Sequence, residues 1–340
     1  MNKQSSLLAT PLAVGPVIVS NRVFLAPMSG ISDKPFRQIA AELGAGLVIT
    51  EMVAGEQLVA GHPETVARAE RTGTGPHVVQ LAGREARWMA EGARAATDAG
   101  ADIIDINMGC PAKKVTNGYS GSALMRDLDH ALTLIEATVA ATSLPVTLKM
   151  RLGWDHSSLN AAELARRAEA AGVRLVTVHG RTRCQFYEGA ADWAAIRRVK
   201  EAINIPLIAN GDFLSSDDIE PMLGLSGADG IMIGRGAYGR PWFPGEVAAF
   251  AATGVPPSTP RGRTLVALIQ RHYEEILHHY GVALGLRCAR KHLGWYADRL
   301  PASATRTTLR RMLLAETRPR EVLRLIPQLF DAPDLARVAA

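Results

Sequence analysis

Two residues in this chain combine a reactive side chain with a defined local position, a cysteine in a turn and a lysine at the end of an apolar segment. Cys110 lies between Gly109 and Pro111, which fix the thiol at the base of a loop. A thiol with a pKa of about 8.5 is mostly protonated at pH 7, so it suits a proton donor better than a nucleophile. Lys149 offers a cation that can stabilise negative charge on a bound ligand.

Two glycine-containing turns indicate a phosphate site. They are Asn210-Gly211-Asp212 and Gly234-Arg235-Gly236, and each follows an apolar segment. Backbone N–H groups in such turns, with the helix N-termini behind them, receive anions. Arg235 adds a guanidinium group that can form charge-assisted hydrogen bonds with phosphate. Either turn alone also fits a simple chain reversal, but together they favour a phosphorylated ligand.

Other polar residues at the ends of apolar segments fit the edge of a flavin ring. Gln80 carries an amide donor and acceptor, and Lys149 would place positive charge near N1 of a reduced flavin. The backbone from Pro27 through Met28 to Ser29 supplies further polar groups. His179 ends another segment, where it is expected to contact the cofactor or the substrate.

Short segments rich in Val, Ile and Leu, each followed by a helical pattern, must position these residues. Eight of them occur in the first 250 residues, at 23–26, 47–50, 78–81, 103–106, 145–148, 175–178, 206–209 and 230–233. This alternation predicts βα units around a parallel sheet, and eight units in this length favour an α/β fold of the (β/α)8 TIM-barrel type. In such a barrel the active face lies at the carboxyl ends of the strands, where all the polar residues above fall.

The segment after Cys110 is expected to cover the site. Residues 112–122 include Lys113, Lys114 and three small or flexible positions, Asn117, Gly118 and Gly121. This composition predicts a mobile loop over the barrel mouth, with two cations for a substrate.

A change in composition marks a second domain. We predict a catalytic barrel over 1–250, a Pro-rich linker over 251–262 and a small helical bundle over 263–340. From residue 255 onward, 14 basic residues face seven acidic ones, a net charge of +7, whereas the rest of the chain is at −2. The excess positive charge therefore lies on the helical domain, which fits either a solvated surface or binding to nucleic acid.

Several classes of protein are excluded by composition. No stretch has the roughly 18 consecutive apolar residues of a membrane-spanning helix, and the N-terminus lacks a signal-peptide pattern. The three cysteines, Cys110, Cys184 and Cys288, form no Cys-x-x-Cys pair, so neither a disulfide framework nor a metal site is expected. We expect a cytoplasmic, monomeric protein without a membrane or metal partner.

The ordered set of strand-end motifs resembles the tRNA-dihydrouridine synthases over almost the whole chain. The matching motifs are Ala26-Pro27-Met28, Asp105-x-Asn107-x-Gly109-Cys110-Pro111, Gly121-Ser122-Ala123-Leu124-Met125, Lys149-x-Arg151, His179-Gly180-Arg181-Thr182 and Asn210-Gly211-Asp212. The segment Arg287-x-x-Arg290-Lys291-His292-x-x-Trp295-Tyr296 is similar to the C-terminal helix of the bacterial B-type branch, which is related to the nitrogen-regulation proteins.

The resemblance implies an FMN-dependent oxidoreductase, reduced by NADPH or NADH, that saturates the C5=C6 bond of D-loop uridines in tRNA, with position 17 favoured. Hydride would pass from N5 of the flavin to C6, and Cys110 would protonate C5. The implied cofactor-binding residues are Pro27, Met28, Ser29, Gln80, Lys149, His179, Asn210, Gly211, Asp212, Gly234 and Arg235. Asn107 would hold the uracil edge, and the other implied substrate contacts are Arg181, Lys113, Lys114, Arg287, Arg290, Lys291 and His292.

Two alternatives remain open. A flavin barrel acting on free pyrimidines, as dihydroorotate dehydrogenases do, would share the barrel motifs but has no need of a basic helical domain. A non-catalytic RNA-binding or regulatory protein would keep the basic domain, but has no need of Cys110, Lys149 and Asn107 together.

Overall fold

The computed structural model describes residues 3–73 and 75–331. The described residues divide into two compact units, one formed by those up to residue 237 together with 242–256, the other by 238–241 and 257–331. Residues 332–340 of the predicted helical domain lie outside the described residues.

The first unit is a TIM barrel of parallel strands, as predicted. Its strands are β3 (Val23–Leu25), β4 (Leu47–Val48), β5 (Val53–Ala54), β6 (Val78–Ala82), β7 (Ile103–Met108), β8 (Val146–Arg151), β9 (Leu175–His179), β10 (Leu207–Asn210) and β11 (Gly230–Ile233); an antiparallel hairpin, β1 (Leu12–Val14) and β2 (Val17–Val19), precedes them. The sheet order is β4-β3-β11-β10-β9-β8-β7-β6-β5.

The second barrel strand is split into two halves that pair with opposite neighbours, and this pairing closes the barrel. Its first half, β4, pairs with β3, and its second half, β5, pairs with β6. Between them, Ile49 forms a parallel bridge to Val78. The two ends of the nine-stranded order therefore belong to one stretch of chain, and the sheet has no open edge there.

Apolar and polar side chains separate along the barrel axis. Residues near the start of the strands, such as Phe24, Val78 and Ile103, form one buried cluster with Leu12 and Val14 of the hairpin. This apolar packing fills the amino-terminal end of the barrel. The buried polar residues lie further along the same strands, so the interior can bind polar ligands only at its carboxyl-terminal end.

Helices cover the outside of the sheet and stabilise it by burying one face of each. The helices of the first unit are α1 (Lys3–Ser6), α2 (Lys34–Glu42), α3 (Gly55–Val59), α4 (Pro63–Ala69), α5 (Ala86–Asp98), α6 (Lys113–Thr116), α7 (Leu128–Ala140), α8 (Ala161–Ala170), α9 (Trp193–Ala202), α10 (Ile219–Ser226) and α11 (Phe243–Thr253). Short 3-10 turns occur at Leu7–Ala9, Gly121–Arg126, Ser216–Asp218 and Arg235–Ala237. The long α5 and α7 bury alanines and leucines against the strands, as their spacing requires.

The second unit is helical and contains α12 (Gly262–Ala297), α13 (Ala304–Ala315) and α14 (Pro319–Phe330). Helix α12 is broken at Gly281, whose φ of 72° and ψ of 165° are not helical. The two halves fold back on each other: a Cβ on Gly285 would lie 2.9 Å from the Cα of Leu277, and His272 Nδ1 lies 2.9 Å from the Tyr296 hydroxyl. Glycine is favoured at both positions, at Gly281 by its positive φ and at Gly285 by the close approach of the two halves.

The segment predicted as a linker over 251–262 is shorter in the structure. Helix α11 continues to Thr253, because Ala251 still packs against the barrel core. Gly254, in the left-handed region with a φ of 72°, ends it. None of the helices in the described parts of the chain is long and apolar enough to cross a membrane.

Candidate active site

Strand register brings the predicted polar residues into adjacent layers inside the barrel. Gln80 pairs with Asp105, which pairs with Thr147. One layer further along, Asn107 pairs with Lys149. At the strand ends, His179 pairs with Arg151 on one side and Asn210 on the other. Residues two apart on a strand point to the same side, so these groups share the mouth of the barrel.

A chain of hydrogen bonds runs from a buried carboxylate to the turn that carries Cys110. Gln80 Nε2 donates to Asp105 Oδ2 at 2.7 Å, and Asn107 Nδ2 donates to Gln80 Oε1 at 2.8 Å. Asn107 Oδ1 then accepts from the backbone N–H of Cys110 at 3.0 Å and of Gly109 at 3.2 Å. The Thr147 hydroxyl donates to the other oxygen of Asp105 at 2.6 Å.

Both ends of this series of hydrogen bonds fix the orientation of the Gln80 and Asn107 side-chain amides. The backbone N–H groups of Gly109 and Cys110 can only donate, so the oxygen of Asn107 must face them. Its nitrogen then faces the oxygen of Gln80, whose own nitrogen faces the acceptor on Asp105. The second N–H of Asn107 is therefore a fixed donor, and any group that meets it must be an acceptor.

Cys110 is half-buried, and burial raises the pKa of its thiol. The charges of Arg151 and Lys149 and a backbone hydrogen bond at Ala112 act in the opposite direction without reversing the shift. Its carbonyl accepts from the Ser122 hydroxyl at 2.8 Å, which ties the turn to the far end of its own loop. The thiol stays protonated near neutral pH, as a proton donor requires.

Arg151 is a site residue to which the sequence motifs assign no role. Its Nε donates to the carbonyl of Gly109 at 2.9 Å, and its Nη1 donates to the carbonyls of Thr182 and Phe186, both at 2.8 Å. The side chain is only 1% exposed, and burial lowers its pKa to about 10, so it remains charged at neutral pH. One guanidinium group thus holds the Cys110 turn and the loop after β9 in place. The only sequence signal was its spacing two residues after Lys149.

Lys149 also lies in the barrel mouth, where its Nζ donates to Asn210 Oδ1 at 3.2 Å. Burial, together with the charge of Arg151, lowers its pKa to about 8, while Asp105 and Cys110 act in the opposite direction. Lys149 is therefore mainly protonated at pH 7, but close enough to its pKa to respond to a charge that develops beside it.

His179 is held in a neutral state beside Gly211. Burial, and then the charges of Arg151 and Lys149, lower the pKa of its imidazole well below the ordinary value. A Cβ on Gly211 would lie 2.8 Å from the ring, and the φ of this glycine is 119°, so no other residue fits the turn. Asn210 is fixed on the other side, since its Nδ2 donates to the Met232 carbonyl at 2.8 Å.

The side chain of Asp212 binds arginines of its own chain. Arg181 forms a two-pronged pair with the carboxylate, and Arg235 Nη2 donates to it at 3.0 Å. Burial acts to raise the pKa of Asp212, but hydrogen bonds from Arg181 and Ala191 and the arginine charges outweigh it and leave the pKa lowered. Arg181 is 1% exposed and also donates to the Glu188 and Gly189 carbonyls, so it holds the loop after β9, and its direct contact with substrate stays a prediction.

The first and last barrel strands bring the remaining predicted residues together. The Ala26 amide donates to the Ile233 carbonyl at 2.9 Å, which places Pro27, Met28 and Ser29 beside the end of β11. A Cβ on Gly234 would lie 3.8 Å from the sulfur of Met28. Arg235 then begins a 3-10 turn with a side chain 44% exposed. Its guanidinium group is accessible to an anion.

The predicted substrate contacts outside the barrel strands differ in exposure. Lys113 and Lys114 are exposed on α6, and Arg287 and Lys291 are exposed on α12. Arg290 is half-buried, with its Nη2 3.4 Å from the Glu316 carbonyl. His292 is 2% exposed, and its ring packs edge-on against those of His272 and Trp295, so its contact with substrate stays a prediction.

Comparison with known proteins shows which family the chain belongs to. A family model described as dihydrouridine synthase matches residues 24–331. The chain belongs to the dihydrouridine synthase family. It is 57% identical over 314 residues to a probable tRNA-dihydrouridine synthase of Rhizobium leguminosarum bv. phaseoli, covering 92% of this chain and 96% of that protein. It is 46% identical over 327 residues to tRNA-dihydrouridine synthase B of Xanthomonas campestris pv. campestris, covering 94% of this chain and 96% of that protein.

Comparison with solved structures shows which known folds this chain is similar to. Morphinone reductase superimposes with a TM-score of 0.52 at 15% identity, over 76% of this chain and 92% of that one. Histamine dehydrogenase from Rhizobium sp. 4-9 gives a TM-score of 0.56 at 16% identity, over 80% of this chain and 51% of that one. At such low identity these likenesses establish the shared fold alone.

Proposed function

We propose that this member of the dihydrouridine synthase family is a tRNA-dihydrouridine synthase that uses FMN and NADPH to reduce the C5=C6 bond of D-loop uridines. The observation that carries the proposal is the position of Cys110. It is a protonated thiol in a turn held by Asn107, Ser122 and Arg151, at the carboxyl end of a barrel strand. The names of the curated relatives supply the substrate class.

The donor set at the barrel mouth fits FMN. Lys149 offers a buried cation for the electron-rich side of a flavin ring, and Gln80 and His179 offer a neutral amide and a neutral imidazole. Arg235 offers an accessible guanidinium group for the phosphate. Pro27, Met28, Ser29, Asn210, Gly211 and Gly234 complete the proposed cradle, with Asp212 acting through its arginine pairs.

When bound and reduced, FMN would supply the hydride for C6 of the uracil, with NADPH as the favoured source of electrons and NADH as the alternative. Cys110 would then donate its proton to C5, where addition of hydride to C6 leaves carbanion character. Asn107 would donate its fixed N–H to a uracil carbonyl, because that N–H cannot act as an acceptor. Arg151 would keep the turn of Cys110 at the correct distance throughout.

The target uridine must leave the tRNA to reach Cys110. Extruding a base costs a few kcal/mol, which contacts to the RNA backbone have to offset. We propose that Arg287, Arg290 and Lys291 of the helical unit contribute such contacts, and that Lys113 and Lys114 contribute them beside the barrel mouth. The resemblance to the B-type branch favours position 17 as the target. We also propose that the enzyme is monomeric and cytoplasmic.

The proposal is tested with purified protein and unmodified tRNA transcript. The protein should carry FMN, and with NADPH it should convert uridine to dihydrouridine, seen as a mass increase of the D-loop fragment. Free uracil or orotate should not substitute for the tRNA. A colourless protein that does not take up FMN, or one that reduces free pyrimidines instead, would overturn the proposal.

A further inference from the structure

A cluster of cationic and aromatic side chains lies on the loops around the barrel mouth. It contains none of the residues proposed above to bind FMN or to act as the proton donor. At its centre, the guanidinium carbons of Arg126 and Arg183 lie 4.4 and 4.7 Å from the ring centroid of Trp154. Arg126 also lies 5.4 Å from the ring centroid of Tyr119. We call Arg126, Trp154 and Arg183, with Tyr119, Lys113 and Lys114, the mouth patch.

The mouth patch belongs to the functional face of the barrel. Trp154 follows the end of β8, and Arg183 follows the end of β9. Arg126 and Tyr119 lie on the loop after β7, the loop that carries Cys110. Arg183 Nη2 also approaches the Thr116 hydroxyl at 3.4 Å, and its backbone N–H donates to the Gly153 carbonyl at 3.0 Å. Three successive strand-end loops are therefore joined through one indole.

Among the described residues, no carboxylate pairs with either arginine of the patch. Within residues 3–73 and 75–331, neither Arg126 nor Arg183 forms an ion pair. A similar stack on the outer helix α5 is different. There, Arg87 lies 4.6 Å from the ring centroid of Trp88, but it is neutralised by Glu91 at 2.9 Å. The charges on the mouth patch are thus left available.

We propose that the mouth patch binds phosphate groups of the RNA backbone next to the uridine that enters the barrel. The inference rests on the proposed function, because it takes tRNA as the substrate. A guanidinium group forms paired hydrogen bonds with phosphate oxygens, and its contact with an aromatic face leaves those N–H groups free to do so. Stacking on Trp154 holds two such groups in position before the RNA arrives, so less side-chain entropy is lost on binding.

This arrangement also explains why two like charges share one ring. Their repulsion is unfavourable in the free protein and is relieved when a phosphate lies between or beside them. Exposed Lys113 and Lys114 add to the same positive field from α6. Phosphate contacts carry no sequence information, so the patch orients the RNA while the barrel interior selects the base.

The test is the salt dependence of tRNA binding, measured without reductant so that no turnover occurs. The probe is an unmodified tRNA transcript, and the variants are Arg126→Gln, Arg183→Gln and the double variant. Removing one phosphate contact should reduce the magnitude of the slope of log Kd against log salt concentration by about 0.7 to 0.9, and the double variant should show about twice that reduction. An unchanged slope in the double variant would overturn the proposal.

Variants of Trp154 test whether the positions of the two arginines matter for tRNA binding in addition to their charge. Trp154→Phe keeps an aromatic face and should bind tRNA close to the wild-type level, whereas Trp154→Leu should weaken binding while both cations remain. The matched controls are Arg87→Gln and Trp88→Leu, which remove the neutralised stack on α5 and should leave the slope unchanged. If the α5 variants lower the slope as much as the patch variants, the effect is one of net charge and the proposal fails.

FMN content and the thermal midpoint of each variant show that it is folded, and the arginine variants suffice should Trp154→Leu unfold. Failure of this inference is distinguishable from failure of the proposed function. A wild-type protein that forms dihydrouridine, with patch variants of normal slope, refutes the patch alone. A wild-type protein that forms none in any tRNA refutes the proposed function, whatever the slopes.

Discussion

The barrel and the helical unit use arginine in opposite ways. In the barrel, Arg37, Arg151 and Arg181 are each 1% exposed and tie carbonyls or a carboxylate from separate loops together. In the helical unit, Arg287 is exposed on α12, and Arg324 is exposed on α14 in a surface pair with Glu321. The first group holds the site rigid, and the second leaves positive charge exposed at the surface.

The difference has an energetic basis. A guanidinium group taken out of water must be fully hydrogen-bonded, so its removal leaves several buried acceptors unpaired. An exposed arginine contributes little to stability and can exchange its hydration for contacts with phosphate. Variants of the buried barrel arginines should therefore change catalysis or stability, and variants of exposed arginines on the helical surface should change binding.

The largest effect is expected at the thiol. Cys110→Ala should lower the rate of uridine reduction by about 10² to 10⁴, because the proton donor is lost. FMN binding, flavin reduction by NADPH and tRNA affinity should be unchanged. Rapid-mixing measurement of each half-reaction checks this, with Cys184→Ala, at an exposed cysteine, as the matched control. Normal oxidation of the reduced flavin by tRNA in Cys110→Ala would remove Cys110 from the mechanism.

The next effect contrasts a buried arginine with an exposed one. Arg181→Met should lower the free energy of unfolding by about 2 to 3 kcal/mol, since it leaves Asp212 with Arg235 alone and frees two carbonyls. Arg287→Met should stay within about 0.5 kcal/mol of the wild type. Urea-induced unfolding of the two variants measures the difference. Equal losses of unfolding free energy would contradict the proposed contrast between buried and exposed arginines.

A third variant tests the hydrogen-bond chain behind Cys110. Asp105→Asn keeps an acceptor for Gln80 and should retain uridine reduction within about threefold, whereas Asp105→Leu leaves the buried Gln80 amide unpaired and should cost about 1 to 3 kcal/mol of stability. The rate with tRNA and the thermal midpoint of each variant are the measurements. If both variants are equally impaired, Asp105 matters through its charge rather than as an acceptor.

Substitutions on the helical surface should change tRNA binding rather than the stability of the protein. Arg287→Ala combined with Lys291→Ala should reduce the magnitude of the salt slope for tRNA by about 2, while flavin reduction by NADPH stays normal. Arg166→Ala, on α8 and paired with Glu163, is the matched control in the barrel. An unchanged slope in the double variant would mean that this surface is only solvated.

The smallest effect at neutral pH should occur in both units, because each buries a neutral histidine that lowers stability only in acid. Burial and nearby arginines lower the pKa of His77 to about 4, and burial lowers that of His272 to about 3. The unfolded chain takes up these protons at about pH 6.5, so stability is complete above that value and falls as the pH drops towards 4. His77→Gln should flatten this decline in unfolding experiments, and a decline of unchanged steepness would contradict the assignment.

Local patterns were sufficient to predict the barrel. Each of the eight apolar segments overlaps a strand, because burial on both faces of a parallel strand requires a continuous apolar run. The split of the second strand into β4 and β5 was not predictable, since it depends on which neighbours each half pairs with. The break in α12 was also missed, because a single Gly281 interrupts an otherwise helical pattern.

For the site, the sequence predicted which residues meet but not which of them bind each other. Lys149 and Asn210 were placed together correctly, whereas the pairing of Arg181 with Asp212 required the loop geometry after β9. Arg151 was missed for the same reason: its partners are backbone carbonyls, which leave no trace in residue types. The burial of His292 was not predicted, because apolar and basic positions alternate within three residues of this helix.

The most direct test of the central claim is a site-resolved map of dihydrouridine in tRNA from cells that lack this gene, with the wild-type gene or the Cys110→Ala variant restored. We expect the modification to disappear from the D-loop, with position 17 as the favoured site, and to return only with the wild-type gene. An unchanged map in the deletion strain, or full restoration by Cys110→Ala, would contradict the account.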